Sequence, residues 1–291
     1  MQFYISVFTF TLISVIAVTG IYILTGLTGM FSLGQAAFMA IGAYVSGVLV
    51  VKASLPFWLA VLIAVIISVM VGFIVGLPTV RLRRDYISLV TLGFGEAITA
   101  LLNQAQSITG GALGFSGIPK KTTPTLALIS AVFCIFIVCY FNNSKYGRQC
   151  IAAKSDELAA KAMGINVPKI KMIAFLISVA VTSYAGALYA FYTTYVDPGI
   201  FGWKKSAEWV IMVFFGGVNS LTGSIFGTMI LTALPEVLRF AAEYRTVFYA
   251  VLVLLIINFK PSGLFGEYEF SIKNTMKLFA SGKKEEKKNV A

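Results

Sequence analysis

The chain has no histidine and little charge: 12 acidic and 23 basic residues in 291, with 58% of positions hydrophobic. The missing histidine removes the commonest side-chain acid–base group and the commonest metal ligand. A charged fraction of 12% with a mean hydropathy of +0.87 excludes a water-soluble domain. The three cysteines, Cys134, Cys139 and Cys150, fall in or beside one apolar segment without zinc or disulfide spacing, so they read as apolar fillers and no metal site is expected. No GxxxxGK[ST] phosphate loop occurs, so the chain has no nucleotide site of its own, and any energy from ATP must come through another subunit. No basic region precedes the first apolar run, "MQFYISVFTF", which argues against a cleaved signal peptide and keeps that segment in the membrane.

What is present is uncharged length. The first charged residue is Lys52, and a helix of about 51 residues would be about 76 Å long against a hydrocarbon core of about 30 Å. The N-terminal stretch must therefore cross at least twice. Taking charged clusters as loops predicts an all-α, polytopic membrane protein of about nine segments. They are Phe3 to Thr25, Met30 to Val51, Phe57 to Val80, Tyr86 to Gln104, Thr123 to Phe141, Met172 to Tyr195, Ala207 to Val218, Leu221 to Leu238 and Thr246 to Phe259. The seventh is short enough for a half-helix. The membrane domain is expected over 1–265, with a polar loop at 145–171 and a basic, disordered tail at 266–291.

Placing "RLRRD", the 145–171 loop and the tail on one side gives that side 16 Lys/Arg against 7 on the other. By the positive-inside rule this side is the cytoplasm and the N-terminus lies outside, although Lys120, Lys121, Lys204 and Lys205 then fall outside as well. Nearness to anionic lipid is a sufficient reason for the tail's lysines, and no nucleic-acid partner is expected.

Several stretches break the apolar pattern. "GFIVG" (Gly72 to Gly76) and "GSIFG" (Gly223 to Gly227) are GxxxG patterns that read as close helix packing. "GLTGMFSLGQAAFMAIGAY" and "GGVNSLTGSIFG" insert glycine and hydroxyl residues into apolar runs, as broken helices beside a transport path do. Glu96 is the lone acid inside a membrane segment, which costs about 2.5–3.5 kcal/mol at a helix centre and demands protein or water around it. Gly93, Glu96, Ala100 and Asn103 share one helical face, expected to point into the bundle. Two readings of Glu96 stand: a path-lining carboxylate, or a structural acid hydrogen-bonded to a broken neighbouring helix. Ser32, Gln35, Glu96, Asn103, Thr109, Gly110 and Gly111 are the candidate path residues.

The loop "KYGRQCIAAKSDELAAKAMGINVPKIK" holds a short helix: Ser155 as N-cap, Asp156 and Glu157 at its positive end, Lys161 at its negative end and Gly164 just past it. At about two turns it is too short to persist alone, and Ile151, Leu158, Ala162 and Ile165 form an apolar line that should lie on something.

These pieces, with "LVTLGFGEAI", "TGGALGFSGIP", "VFFGGVNSLTGSIFGTMI" and "FKPSGLFG", resemble in content and order the permease subunits of branched-chain amino-acid ABC importers, most closely the LivM type. The resemblance runs from Gly26 to Gly266. It implies a non-enzymatic transport subunit in a bacterial plasma (inner) membrane, working with a second permease, two cytoplasmic ATPases that bind ATP and magnesium, and an extracytoplasmic binding protein. This chain itself would need no cofactor. The resemblance also implies that the loop helix couples to an ATPase through Ser155, Asp156, Glu157, Ala159, Ala160, Lys161, Met163 and Gly164. Closure of the ATPases would then rock the permeases between inward-open and outward-open states. A leading helix of longer members is expected to be absent here. The solute could equally be another amino acid, urea or a short amide. The alternatives are a secondary transporter or channel that uses Glu96, and a ribose- or nucleoside-type permease.

Overall fold

The computed structural model describes residues 2–237 together with 250, 251, 254, 258–260, 263, 264 and 266. It is helical almost throughout. Helix α1 (Gln2–Tyr22) continues as a π-helical turn, Ile23–Thr28, and stops at Gly29 in the left-handed conformation. Next come α2 (Gln35–Ala53), α3 (Phe57–Thr79), α4 (Arg84–Gln104) and a single turn, α5 (Gln106–Thr109). They are followed by α6 (Pro124–Asn143), α7 (Lys145–Ser155), α8 (Glu157–Ala162), α9 (Val167–Thr193), α10 (Trp203–Gly216) and α11 (Leu221–Val237).

Local chemistry sets the boundaries. Thr123 Oγ1 accepts from the Leu126 N–H with Pro124 in the first turn of α6, and Asn166 Oδ1 accepts from the Lys169 N–H with Pro168 in the first turn of α9. The Ser144 hydroxyl caps α7 through the Gly147 N–H.

Helix α9 is the axis of the bundle, packed on α1, α2 and α3. Contacts there are backbone-close: a methyl on Gly42 would overlap the Ser183 carbonyl oxygen, and one on Gly186 that of Met39. Such small-residue seams are how helices associate where lipid removes the hydrophobic drive. "GFIVG" packs as read from the sequence: a Cβ on Gly72 would lie 3.1 Å from Val179 and one on Gly76 2.9 Å from the Met172 sulfur. Across the same seam the Ser183 hydroxyl donates to Ser68 Oγ at 2.7 Å. "GSIFG" folds α11 back on α10, where Gly223 meets Gly216 and the two helices are bent by 120°.

Among the described residues, six helices are long and apolar enough to cross a membrane, and α10 with α11 passes the same test only as a sharply bent pair, the geometry of a broken span or a re-entrant loop. They match the first six expected segments, while the seventh and eighth form the bent pair. The ninth, Thr246 to Phe259, and the tail lie largely outside the described residues. Two boundaries shift. Helix α9 begins at Val167 rather than Met172 and α10 at Trp203 rather than Ala207, so Lys169, Lys171, Lys204 and Lys205 sit inside helices. Lys171 pairs with Glu157 and Lys205 with Glu208, so a charge that finds a partner does not have to end a helix.

The bundle has two ends. One carries α7 and α8. At the other, the α4–α6 connection pairs as strand β1 (Phe115–Ser116) with β2 (Tyr195–Val196), and Lys52 Nζ donates to the Ser107 carbonyl at 2.6 Å.

Candidate functional site

Three elements meet part-way along α4. The loop after the π-helical turn brings the Leu33 N–H to Thr91 Oγ1 at 3.1 Å and presses Gly34 against the Thr91 carbonyl. Helix α2 then starts, its Ala36 N–H donating to Ser206 Oγ of α10 at 2.9 Å. Helix α10 starts beside Glu96, whose Oε1 accepts from the Trp203 N–H at 3.4 Å. Glu96 is the thirteenth residue of α4, so by a rise of 1.5 Å per residue it lies about 18 Å from the helix start, near mid-membrane depth. The N-terminus of α10, with its positive partial charge, therefore meets the Glu96 carboxylate, while the N-terminus of α2 docks beside it on Ser206. Ser32 and Gln35 are brought to this junction, both fully buried, and neither the Ser32 hydroxyl nor the Gln35 amide has a hydrogen-bond partner among the described residues.

The Glu96 face points the other way from expectation. Gly93, Glu96 and Ala100 are exposed and Asn103 is half-buried, while Ile87, Thr91 and Gly95 carry the packing. Periodicity showed that the stripe is one face; it could not show that α4 buries its opposite face and leaves this one outside its own bundle.

Asn103, Thr109, Gly110 and Gly111 gather separately, at the end opposite α8. The Thr109 hydroxyl lies 2.8 Å from the Leu102 and Ala105 carbonyls and accepts from the Gly111 N–H at 3.3 Å. Gly110 and Gly111 are both left-handed, and a methyl on Gly111 would come 2.9 Å from the Asn103 carbonyl oxygen. These residues build a tight corner beyond α4.

At the other end, the 145–171 loop holds two helices where one was expected. Ser155 is the last residue of α7, its hydroxyl donating to the Ile151 carbonyl, and the N-cap of α8 is Asp156. Asp156 Oδ1 accepts from the Leu158 and Ala159 N–H groups at 2.8 and 3.0 Å. Aspartate displaces serine as the cap because its charged acceptor reaches two N–H groups and complements the helix dipole. At the far end, Ile165 N–H donates to Ala160 O and Gly164 N–H to Lys161 O, a Schellman closure with Gly164 at φ +79°.

Glu157 pairs with Lys171 of α9 at 2.8 Å and with Lys161 at 3.0 Å. The hydrogen bond from Lys171, followed by that from Lys161, holds the Glu157 carboxyl below the ordinary carboxylate range. Ala160 faces the bundle and is buried, so of the eight expected coupling residues it is turned inward. Ala159, Lys161, Met163 and Gly164 are exposed. The expected apolar line splits, Ile165 packing on the core while Leu158 is 77% exposed, with Met163 beside it at 83%. Burial pushes the thiol of Cys150, on α7, up to about 12, which disfavours the reactive thiolate. Thr91, Ser206, Leu158 and Lys171 were missed as site residues; only Leu158 left a trace, as part of the apolar line.

Residues 3–258 match the family described as the permease component of the branched-chain amino acid transport system. The chain belongs to that family. The permease is 32% identical to the high-affinity branched-chain amino acid permease protein LivM of Escherichia coli K12, over 88% of this chain and 68% of that one. It is 28% identical to the probable LivM of Methanocaldococcus jannaschii, over 72% and 68%. It is also 26% identical to the sister permease protein LivH of Salmonella typhimurium, over 64% and 60%. Among solved structures, PsaBC from Streptococcus pneumoniae in complex with Fab is similar over 86% of this chain and 88% of that one, at 17% identity and a TM-score of 0.48, which carries no functional argument. As a member of a family of ABC importer permeases, the protein is a transport component.

Proposed function

We propose that this permease forms one wall of a path for branched-chain amino acids, the other wall being a second permease seated against α4. The observation that carries the reading is the outward Gly93–Glu96–Ala100 face: a carboxylate on the outer surface of a membrane-spanning helix is costly in lipid and is relieved by a water-filled path shared with a partner. Similarity to both LivM and LivH supports a partner built on the same fold. Glu96, held by the α10 N-terminus, would meet the solute's ammonium, while Ser32 and Gln35 stand behind it.

Helix α8, capped at both ends and presenting Leu158 and Met163, fits a groove of a cytoplasmic ATPase, which with its twin would bind ATP and magnesium. An extracytoplasmic binding protein would deliver the solute. On this reading the α8 end and the C-terminus would lie in the cytoplasm and the N-terminus outside, across a plasma membrane. Tagged protein extracted in mild detergent tests the reading by mass spectrometry of its companions. Phosphate-loop ATPases plus a second polytopic permease are expected, with ATP-dependent leucine uptake after reconstitution. A chain that purifies alone and transports without ATP overturns it and favours the secondary-transporter reading of Glu96.

A further inference from the structure

The α7–α8 segment touches the broken parts of the membrane domain at one ammonium. Lys154, in the last turn of α7, donates to the Gly26 carbonyl at 2.7 Å and to Asn219 Oδ1 at 2.8 Å. Gly26 belongs to the π-helical end of α1, and Asn219 to the turn between α10 and α11. The last carbonyls of a helix carry negative partial charge with no partner further along the chain, so a lysine placed there makes charge-assisted bonds. The two breaks are also packed on each other: a Cβ on Gly26 would lie 2.8 Å from the Val218 carbonyl oxygen, and the Tyr22 hydroxyl lies 3.5 Å from the Asn219 carbonyl oxygen. Around this clamp opens a cavity of about 690 Å³ with mixed polar and apolar walls, lined also by Asn142, Arg148 and Ile151, so the surroundings leave room for the clamp to move.

Connectivity gives the clamp its meaning. On one side Lys154 is two residues from Asp156, the cap of α8, with no linker between the helices. On the other side, the Gly26 turn leads through the Gly29–Gly34 loop to the start of α2. The Asn219 turn closes one end of α10, whose other end holds Glu96. A displacement of α8 therefore has a short mechanical route to both intramembrane breaks.

We propose that Lys154 is the positioning residue that passes motion of the α7–α8 loop to the π-helical end of α1 and to the α10–α11 turn, and so ties ATP hydrolysis to movement of the path. This rests on α8 being the ATPase-docking element. The test uses the full reconstituted complex with Lys154→Met, Lys154→Arg and Asn219→Ala, reading ATPase co-purification, basal hydrolysis and solute taken up per ATP hydrolysed.

For Lys154→Met, the expected result is retained ATPases and basal hydrolysis with uptake per ATP reduced about tenfold, within the usual range of coupling between linked sites. Lys154→Arg restores most of it. Asn219→Ala, which removes one acceptor and no charge, loses part, and adds nothing on top of Lys154→Met because the two share one interaction. Unchanged uptake per ATP in Lys154→Met overturns the proposal. If Lys154→Met fails to assemble, Asn219→Ala decides: unchanged coupling there overturns the proposal equally. Failure of the unmodified protein to retain ATPases instead removes the docking reading itself.

Discussion

The ammonium of Lys171 lies 2.8 Å from Glu157 Oε2, joining the fifth residue of α9 to the first residue of α8. Lys171 is only 7% exposed, whereas the Glu157 side chain is 43% exposed. The lysine depends on the pair more than the acid does, since a buried charge without a partner is costly. Glu157→Gln should loosen α8 from α9 by about 1 kcal/mol, the lower range for a charged hydrogen bond discounted for the exposed partner. Faster proteolysis within 156–166, at unchanged melting of the bundle, is the expected readout.

The same pair sets a pH window. Glu157 is held below the ordinary carboxylate range, so its stabilisation is fully present above the unfolded value of about 4.3 and is lost as pH falls through the lower folded value. Protease resistance of the loop should stay flat from pH 8 to about 5 and fall only below about pH 4. A midpoint near neutrality would show that another group controls the loop.

Gly164 sits at φ +79° with open space where a Cβ would be, so a side chain there meets strain without a clash. Gly164→Val should cost about 1–2 kcal/mol of local order in α8, the penalty of a left-handed conformation for an L-residue. Weaker retention of the ATPases at normal membrane levels of the permease is the expected outcome in a pull-down.

Glu96→Gln keeps an acceptor for the Trp203 N–H and removes the charge. A path carboxylate predicts transport lowered about tenfold, the loss of about 1.4 kcal/mol of interaction with a cationic group, with the complex intact. Unaltered transport with intact assembly would confine Glu96 to holding α10.

Gly186→Val would force a side chain into the Met39 carbonyl at the α2–α9 crossing. Overpacking of this kind costs about 1–3 kcal/mol, and here the obstacle is backbone. Size-exclusion profiles after graded heating should show the variant aggregating well before the parent, whereas Gly117→Ala, in open space, shifts only by the strain of its positive φ.

Much of this architecture was legible as absence. Runs without charge gave the first six helices because lipid admits little else, and glycine at Gly72 and Gly76 announced close packing. Three things were hidden. Lys204 and Lys205 looked like a loop although they open α10, where Lys205 pairs with Glu208 at 2.9 Å one turn on. The Glu96 stripe had a readable periodicity but no readable neighbour, since that choice is made by tertiary packing of Thr91 and Gly95. The contact of Lys154 with Gly26 spans 128 positions, and no local pattern encodes it.

The bare outer face of α4 bears on how such a subunit is made. A lone copy in the bilayer leaves Glu96 against acyl chains, at a cost of about 2.5–3.5 kcal/mol, comparable to a sizeable part of a domain's net stability. Unaccompanied synthesis should therefore yield a short-lived orphan, cleared by membrane proteases. Where the proposed second permease covers this face, balanced output of the two becomes a condition for accumulating either, set by one acid on the side the chain's own helices leave uncovered.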